Sequence, residues 1–272
     1  LSMNNVLLGE MVINAQSDGL RSFIMLDAYV KPFDSHKTLN LNGLFTLDGT
    51  NNMDMNIDFN GFNPNFLDPL LNSISEPKGK LYGNTRFYGP HDNYFIDGFI
   101  TVDSLSFKIP YLNTRYKLNK KYNIFFERDN IFLDSITFFD LKHNTSGSFF
   151  GNTKHYNAFR TVYYNFNIES DSMYCLNTNL SNNTLYYGDV FAGGNVLISG
   201  NPDGIFFDIE AISKKGTKFN IPLSYFSDIE ENQFIRFIDN KNDNLFNLPK
   251  TVENTYSFIM DFDLEITPDA QV

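Results

Sequence analysis

What most constrains this chain is a strict alternation of apolar and polar residues. In Met53-Asp54-Met55-Asn56-Ile57-Asp58-Phe59-Asn60 every even position is polar, and near the end Asp261, Asp263 and Glu265 stand between Met260, Phe262, Leu264 and Ile266. A period of two sends successive side chains to opposite sides of an extended backbone, so such runs are strands with one covered face and one wet face. Val162, Tyr164, Phe166 and Ile168 form a third row, with Asn165, Asn167 and Glu169 between them. Ile205, Phe207 and Ile209 form a fourth, opposed by Asp208 and Glu210.

Weaker versions of the pattern predict strands at about 6–15, 20–31, 38–47, 79–88, 94–103, 113–118, 122–127, 130–141, 146–152, 172–179, 185–192, 195–200, 216–222 and 233–238. Asp48-Gly49, Asn60-Gly61, Asp97-Gly98 and Asp203-Gly204 read as the joints between them. Two segments have helical spacing: one near 66–75, with Phe66, Leu70 and Leu71 on one side and Pro69 in the first turn, and a weaker one at 225–234. Composition agrees: about three dozen Asn residues, 29 Phe and 15 Tyr accompany very little Ala, which favours strands and turns over helices. An A/T-rich genome would raise the same residues without altering the fold class.

Gly43 and Gly49, Gly83 and Gly89, and Gly194 and Gly200 share the spacing G-x5-G, and Val196 and Ile198 alternate within the last copy. Strand-plus-turn units at irregular period suggest an extended, stackable sheet.

With 42% hydrophobic and 19% charged residues the chain is no disordered polymer, and a net charge of −11 opposes nucleic-acid binding. One cysteine, Cys175, excludes an internal disulfide framework and a cysteine zinc site. No apolar stretch approaches membrane-spanning length, and Leu1-Ser2-Met3-Asn4-Asn5-Val6 lacks a basic n-region. Both ends break off at or beside a strand, so the sequence is expected to be an excerpt of a longer polypeptide.

Chemistry-bearing motifs are absent. His36, His91, His143 and His155 lie in separate turn-like segments without carboxylate or cysteine partners at ligand spacing, although His143 and His155 could approach across neighbouring strands. The loop from Asp239 to Asn244 has Lys241 where a calcium loop needs a ligand, and lacks the central glycine. No nucleophile elbow, P-loop or dinucleotide fingerprint occurs, and acidic pairs such as Glu230-Glu231 are ordinary solvated surface. Sequons at Asn144, Asn179 and Asn182 are expected by chance in so Asn-rich a chain. The expectation is a non-enzyme without metal or cofactor, in which the apolar row itself is the functional feature.

Four stretches carry a resemblance. They are Val102 to Leu118 followed by Gly147-Ser148-Phe149-Phe150-Gly151, then Leu185 to Gly200, then Lys215 to Leu223, and finally Leu264-Glu265-Ile266-Thr267-Pro268-Asp269-Ala270. In this order they resemble the C-terminal region of the TamB family, the translocation and assembly module subunit of diderm bacteria, best over 78–272 and more loosely over 1–77. The resemblance implies a periplasmic chain anchored in the inner membrane by an N-terminal helix outside this sequence. It also implies a U-shaped β-sheet groove, or β-taco, and an end that engages an outer-membrane barrel of the TamA or BamA type. Phospholipid passage between membranes and outer-membrane protein assembly are the associated functions.

Combined with the alternation, this gives an all-β, extended, curved sheet with one or two short helices, divided at 77/78 into two groove sections. Its expected inner wall, in contact with phospholipid acyl chains, is Met53, Met55, Ile57, Phe59, Val162, Tyr164, Phe166, Ile168, Val196, Ile198, Ile205, Phe207, Ile209, Met260, Phe262, Leu264 and Ile266. The alternative is a closed β-sandwich, an adhesive or structural protein of the cell surface that buries the same rows between two sheets.

Overall fold

The computed structural model describes residues 2–3, 6–7, 9–19, 22–33, 35–47, 49, 51–65, 68, 74–184, 186–222 and 257–271. Almost all of them are strand. β1 (Ser2–Met3) and β2 (Val6–Leu7) form a separate two-stranded sheet. Then follow β3 (Glu10–Ser17), β4 (Phe23–Lys31), β5 (Leu39–Thr46), β6 (Asn52–Phe62), β7 (Ser75–Pro90), β8 (Phe95–Ile109), β9 (Thr114–Leu118) and β10 (Tyr122–Arg128). β11 (Asn130–Asp140), β12 (Ser146–Tyr156), β13 (Thr161–Thr178), β14 (Tyr187–Asn201), β15 (Gly204–Ser213), β16 (Lys218–Asn220) and β17 (Ser257–Glu265) complete the order.

β3 to β17 make one 15-stranded sheet, a meander in which neighbours in sequence pair antiparallel. β9 and β16 are short side branches, and β17 joins β15 in parallel. Among the described residues there is no second layer: the substantial contacts between elements run between hydrogen-bonded neighbours, with β9 against β13 the exception. The described apolar rows therefore lie on one extended sheet and are not buried between two.

The sheet covers itself by curling. Register shifts interrupt β6 at Asn60/Phe62, β11 at Leu133/Ile136 and β13 at Ser170/Met173, and each added residue bends its strand. Two cross-ties hold the curl. At one end the backbone N–H of Asn157, in the β12–β13 turn, donates to Asn93 Oδ1 before β8 at 2.9 Å. At the other, Tyr116 of β9 donates its hydroxyl to the Tyr174 carbonyl of β13 at 3.0 Å, and Asn113 donates to the Asn177 carbonyl at 2.7 Å. Between the ties the curved face fills with side chains. Tyr116, Leu118, Tyr122, Ile136 and Phe138 form one buried cluster and Val30, Phe62, Leu81 and Val102 another, with Leu105 packed against both.

Several expected joints are not joints. Asn60-Gly61 is a bulge inside β6, with Gly61 at φ +79°, and Asp97-Gly98 lies within β8. A Cβ at Gly98 would collide with the Asn84 carbonyl of β7, so this glycine serves a close strand approach and no turn. Likewise 162–168 and 172–179 are one strand, β13, and 185–192 and 195–200 are one strand, β14. The polar run Ser170-Asp171-Ser172 and the pair Gly193-Gly194 break the alternation without breaking the ladder. The joint expected at Asp203-Gly204 sits one residue earlier, the turn lying at Pro202-Asp203 and Gly204 opening β15, and the strand expected at 216–222 shrinks to β16. Apart from Asp68, Ile74 and Ser75, the helix expected near 66–75 lies outside the described residues, as do the segment 225–234 and the strand at 233–238. The 77/78 division falls inside β7.

Candidate functional site: one apolar face

Cross-strand partners in a ladder point to the same side of the sheet, so the register decides which residues share a face. Met53, Met55, Ile57 and Phe59 of β6 pair with Gly89, Phe87, Thr85 and Gly83 of β7. Phe87, Thr85 and Gly83 pair in turn with Ile96, Gly98 and Ile100 of β8, and Ile100 with Ile124 of β10. Ile124 pairs with Leu133 of β11, Leu133 with Gly151 of β12, and Gly151 with Phe166 of β13. Phe166 pairs with Ile198 of β14, Ile198 with Phe207 of β15, and Phe207 with Met260 of β17.

The walk never changes sides. Met53 to Phe59, Val162 to Ile168, Val196 and Ile198, Ile205 to Ile209, and Met260 to Leu264 therefore occupy one face of one sheet, although they come from five separate segments. Ile266 stands one residue past the end of β17. His143 and His155 are not brought together. His143 sits in the β11–β12 turn, edge-on to Tyr174 at 4.6 Å, and His155 at the far end of β12 stacks on Phe159 at 4.0 Å.

Sequence reasoning missed members of the same face. Leu39, Leu41 and Phe45 of β5 pair with the β6 row, and Ile24, Leu26, Ala28 and Val30 of β4 continue it to Met11 and Ile13 of β3. Their alternation was present but interrupted by Gly43. Glycines on this face lie beneath large neighbours: a Cβ at Gly200 would fall within the ring of Tyr164, and one at Gly151 would meet Phe166. Rings lying across glycines let the sheet bend tightly.

The face is not uniformly open. In the centre it is packed, as at Ile96 (3% exposed) and Tyr116. Val162 to Ile168 and Ile205 to Ile209 are half-buried, with Phe149 and Phe166 rings 5.0 Å apart. At both lateral ends of the sheet it is bare: Ile13 is 57% exposed, Phe262 43% and Leu264 50%.

Polar groups on or beside the packed region are held in fixed states. Burial works against ionisation of Asp140, but the Thr145 hydroxyl and the backbone N–H groups of His143, Thr145 and Lys142 donate to it and hold its carboxyl below the usual range. Tyr174 is pushed up by burial and by donating to Asp189, whose own carboxyl is lowered by that bond and by Lys142. Burial pushes the Cys175 thiol up to about 12, which keeps it protonated and unreactive. Among the described residues no three His, Cys, Asp or Glu side chains gather as metal ligands. Such a surface can hold apolar matter.

Comparison with family models, with curated proteins and with solved structures gives no match.

Proposed function

We propose that the chain is a non-catalytic section of a TamB-like periplasmic bridge, whose apolar sheet face supports phospholipid passage between inner and outer membranes and the assembly or translocation of outer-membrane proteins. The observation that carries the proposal is the single-faced register: five alternating segments, spread from residue 53 to 264, present their apolar sides to one continuous surface. A sheet of this length, with no covering layer among the described residues, needs either to curl on itself or to be covered by something else. The centre does the first. The flanks at β3 and β15–β17 leave apolar side chains in water, and acyl chains would be held there by the transfer term of about 25 cal/mol per Å² that otherwise packs cores. On this reading the chain belongs to a protein anchored in the inner membrane of a diderm bacterium and reaching an outer-membrane barrel of the TamA or BamA type.

The test is photo-crosslinking in cells from Phe262, on the bare flank, and from Phe166, in the half-buried row. A phospholipid adduct at Phe262 is expected. Phe262→Arg should impair lipid flux and outer-membrane integrity with little loss of folded protein, whereas Phe166→Arg should also destabilise the sheet. Absence of any lipid adduct at Phe262, together with intact flux in Phe262→Arg, would remove the proposal's support.

A further inference from the structure

We propose that the outer face of β7, β8 and β9, opposite the apolar row, carries a binding site for a phosphate group, built around Lys108 and Arg115. The chain holds 21 Lys and Arg against 32 Asp and Glu, so a cationic surface on it is anomalous. Five of those cations, Lys78, Lys80, Lys108, Arg115 and Lys117, nevertheless fall together on three neighbouring strands. The register sets them side by side: Lys108 is directly opposite Arg115, and Ser106 is paired with Lys78 on one side and Lys117 on the other.

Like charges facing across a ladder are destabilising, and an acidic protein has ample carboxylates to neutralise them. Only two stand here. Glu76 accepts from Arg115 at 2.6 Å, and Asp103 is engaged by Lys121 at 3.1 Å. Lys78, Lys80, Lys108 and Lys117 form no ion pair among the described residues.

Beside Lys108 and Arg115 the surface sinks into a hollow of about 260 Å³ that also takes in Asn113, Thr114, Lys142 and Tyr174. One carboxylate, Asp140, faces it, but that group is saturated by donors from its own turn, and Lys142 is committed to Tyr174, Asn177 and Asp189. Lys108 therefore has no ion pair, and Arg115 beside it spends one guanidinium nitrogen on Glu76. The remaining Arg115 N–H groups beside an ammonium match a phosphate oxygen pair, with directed donors from Arg and a point charge from Lys. The ligand chemistry is a phosphate mono- or diester, borne by a lipid headgroup or free in solution. Because Lys108 and Arg115 alternate with Phe107 and Tyr116 and so stand on the side away from the apolar row, their replacement would leave the proposed role of that row untouched, and the converse also holds.

The experiment measures binding of the purified chain to inorganic phosphate and to phosphatidylcholine vesicles with and without phosphatidylglycerol, for wild type, Lys108→Gln/Arg115→Gln, Lys117→Gln and the distant control Lys154→Gln. Wild type and control should bind; the double variant should bind at least tenfold more weakly and Lys117→Gln several-fold. Displacement from vesicles by inorganic phosphate would show that the phosphate group suffices. Vesicle binding that resists it would assign the site to the lipid-borne group. The single variant keeps the Arg115–Glu76 pair, so it reports on the site even if the double variant folds poorly. Wild-type protein that binds neither probe, or variants that bind like wild type, would overturn the proposal.

Discussion

Among single residues, His155 has the least comfortable surroundings. It is 1% exposed, and neither ring nitrogen has a hydrogen-bond partner. Its ring lies parallel to Phe159 and 6.1 Å from Tyr94, beside the Asn157–Asn93 tie. Asn157, Ala158 and Phe159 all have positive φ, a conformation that costs non-glycine residues about 1 kcal/mol or more each. Asp129 and the backbone of Arg128 favour the imidazolium. Desolvation outweighs Asp129, so the imidazole pKa is lowered in the folded chain. Since the unfolded chain then binds more protons, stability is full above the unfolded value of about 6.5 and falls as pH drops below it, by at most about 1.4 kcal/mol per pH unit, until the folded pKa is reached. Urea titrations across this range should show the slope in wild type and a reduced slope in His155→Phe. An unchanged slope would mean that His155 stays neutral for another reason or is not buried.

At the scale of elements, alternation was legible where nothing interrupted it, and β6, β15 and β17 were identified almost to the residue. The reading broke where the sheet bends. Gly61, Gly98 and the Ser170-Asp171-Ser172 run look like turns because bulges and close approaches use the residues that turns use. The shared face was legible only within each strand, because relating β6 to β17 requires every register between them. β17 also carries a feature that pairing alone reveals. Its parallel register sets Asp261 opposite Asp208 and Asp263 opposite Glu210 on the wet face, while Phe207 and Phe258 pack on the other with rings 5.2 Å apart. Facing carboxylates oppose the strand's attachment by a few tenths of a kcal/mol per pair, and salt screens them. Amide exchange of 257–265 should slow as sodium chloride is raised from low to near-molar concentration. Asp263→Asn should start slower and respond less. Exchange that ignores both would show that hydrophobic contacts alone set the docking of β17.

For the whole molecule, the decisive property is that packing is nearly one-dimensional. Each strand's main contacts are its two neighbours, so stability accumulates along the sheet and is not pooled in one core. The exceptions are the two cross-ties and the two buried clusters, one on β9 to β11 and the other reaching from β4 to β8. The edge strands β3 and β17 have bare apolar residues and are each secured by one neighbour. Such an arrangement should lose structure from the sides inward. Hydrogen exchange in rising urea should show β3 and β15–β17 opening at lower denaturant than β8–β12, with free energies that converge only in the middle. Adding phospholipid micelles should raise protection at the flanks, where Ile13, Phe262 and Leu264 are bare, and leave the centre unchanged. A single coincident transition for all strands would mean that the curl couples flank to centre more tightly than these contacts imply. Protection that rose first in the centre would move the passenger's place from the open flanks to the closed middle.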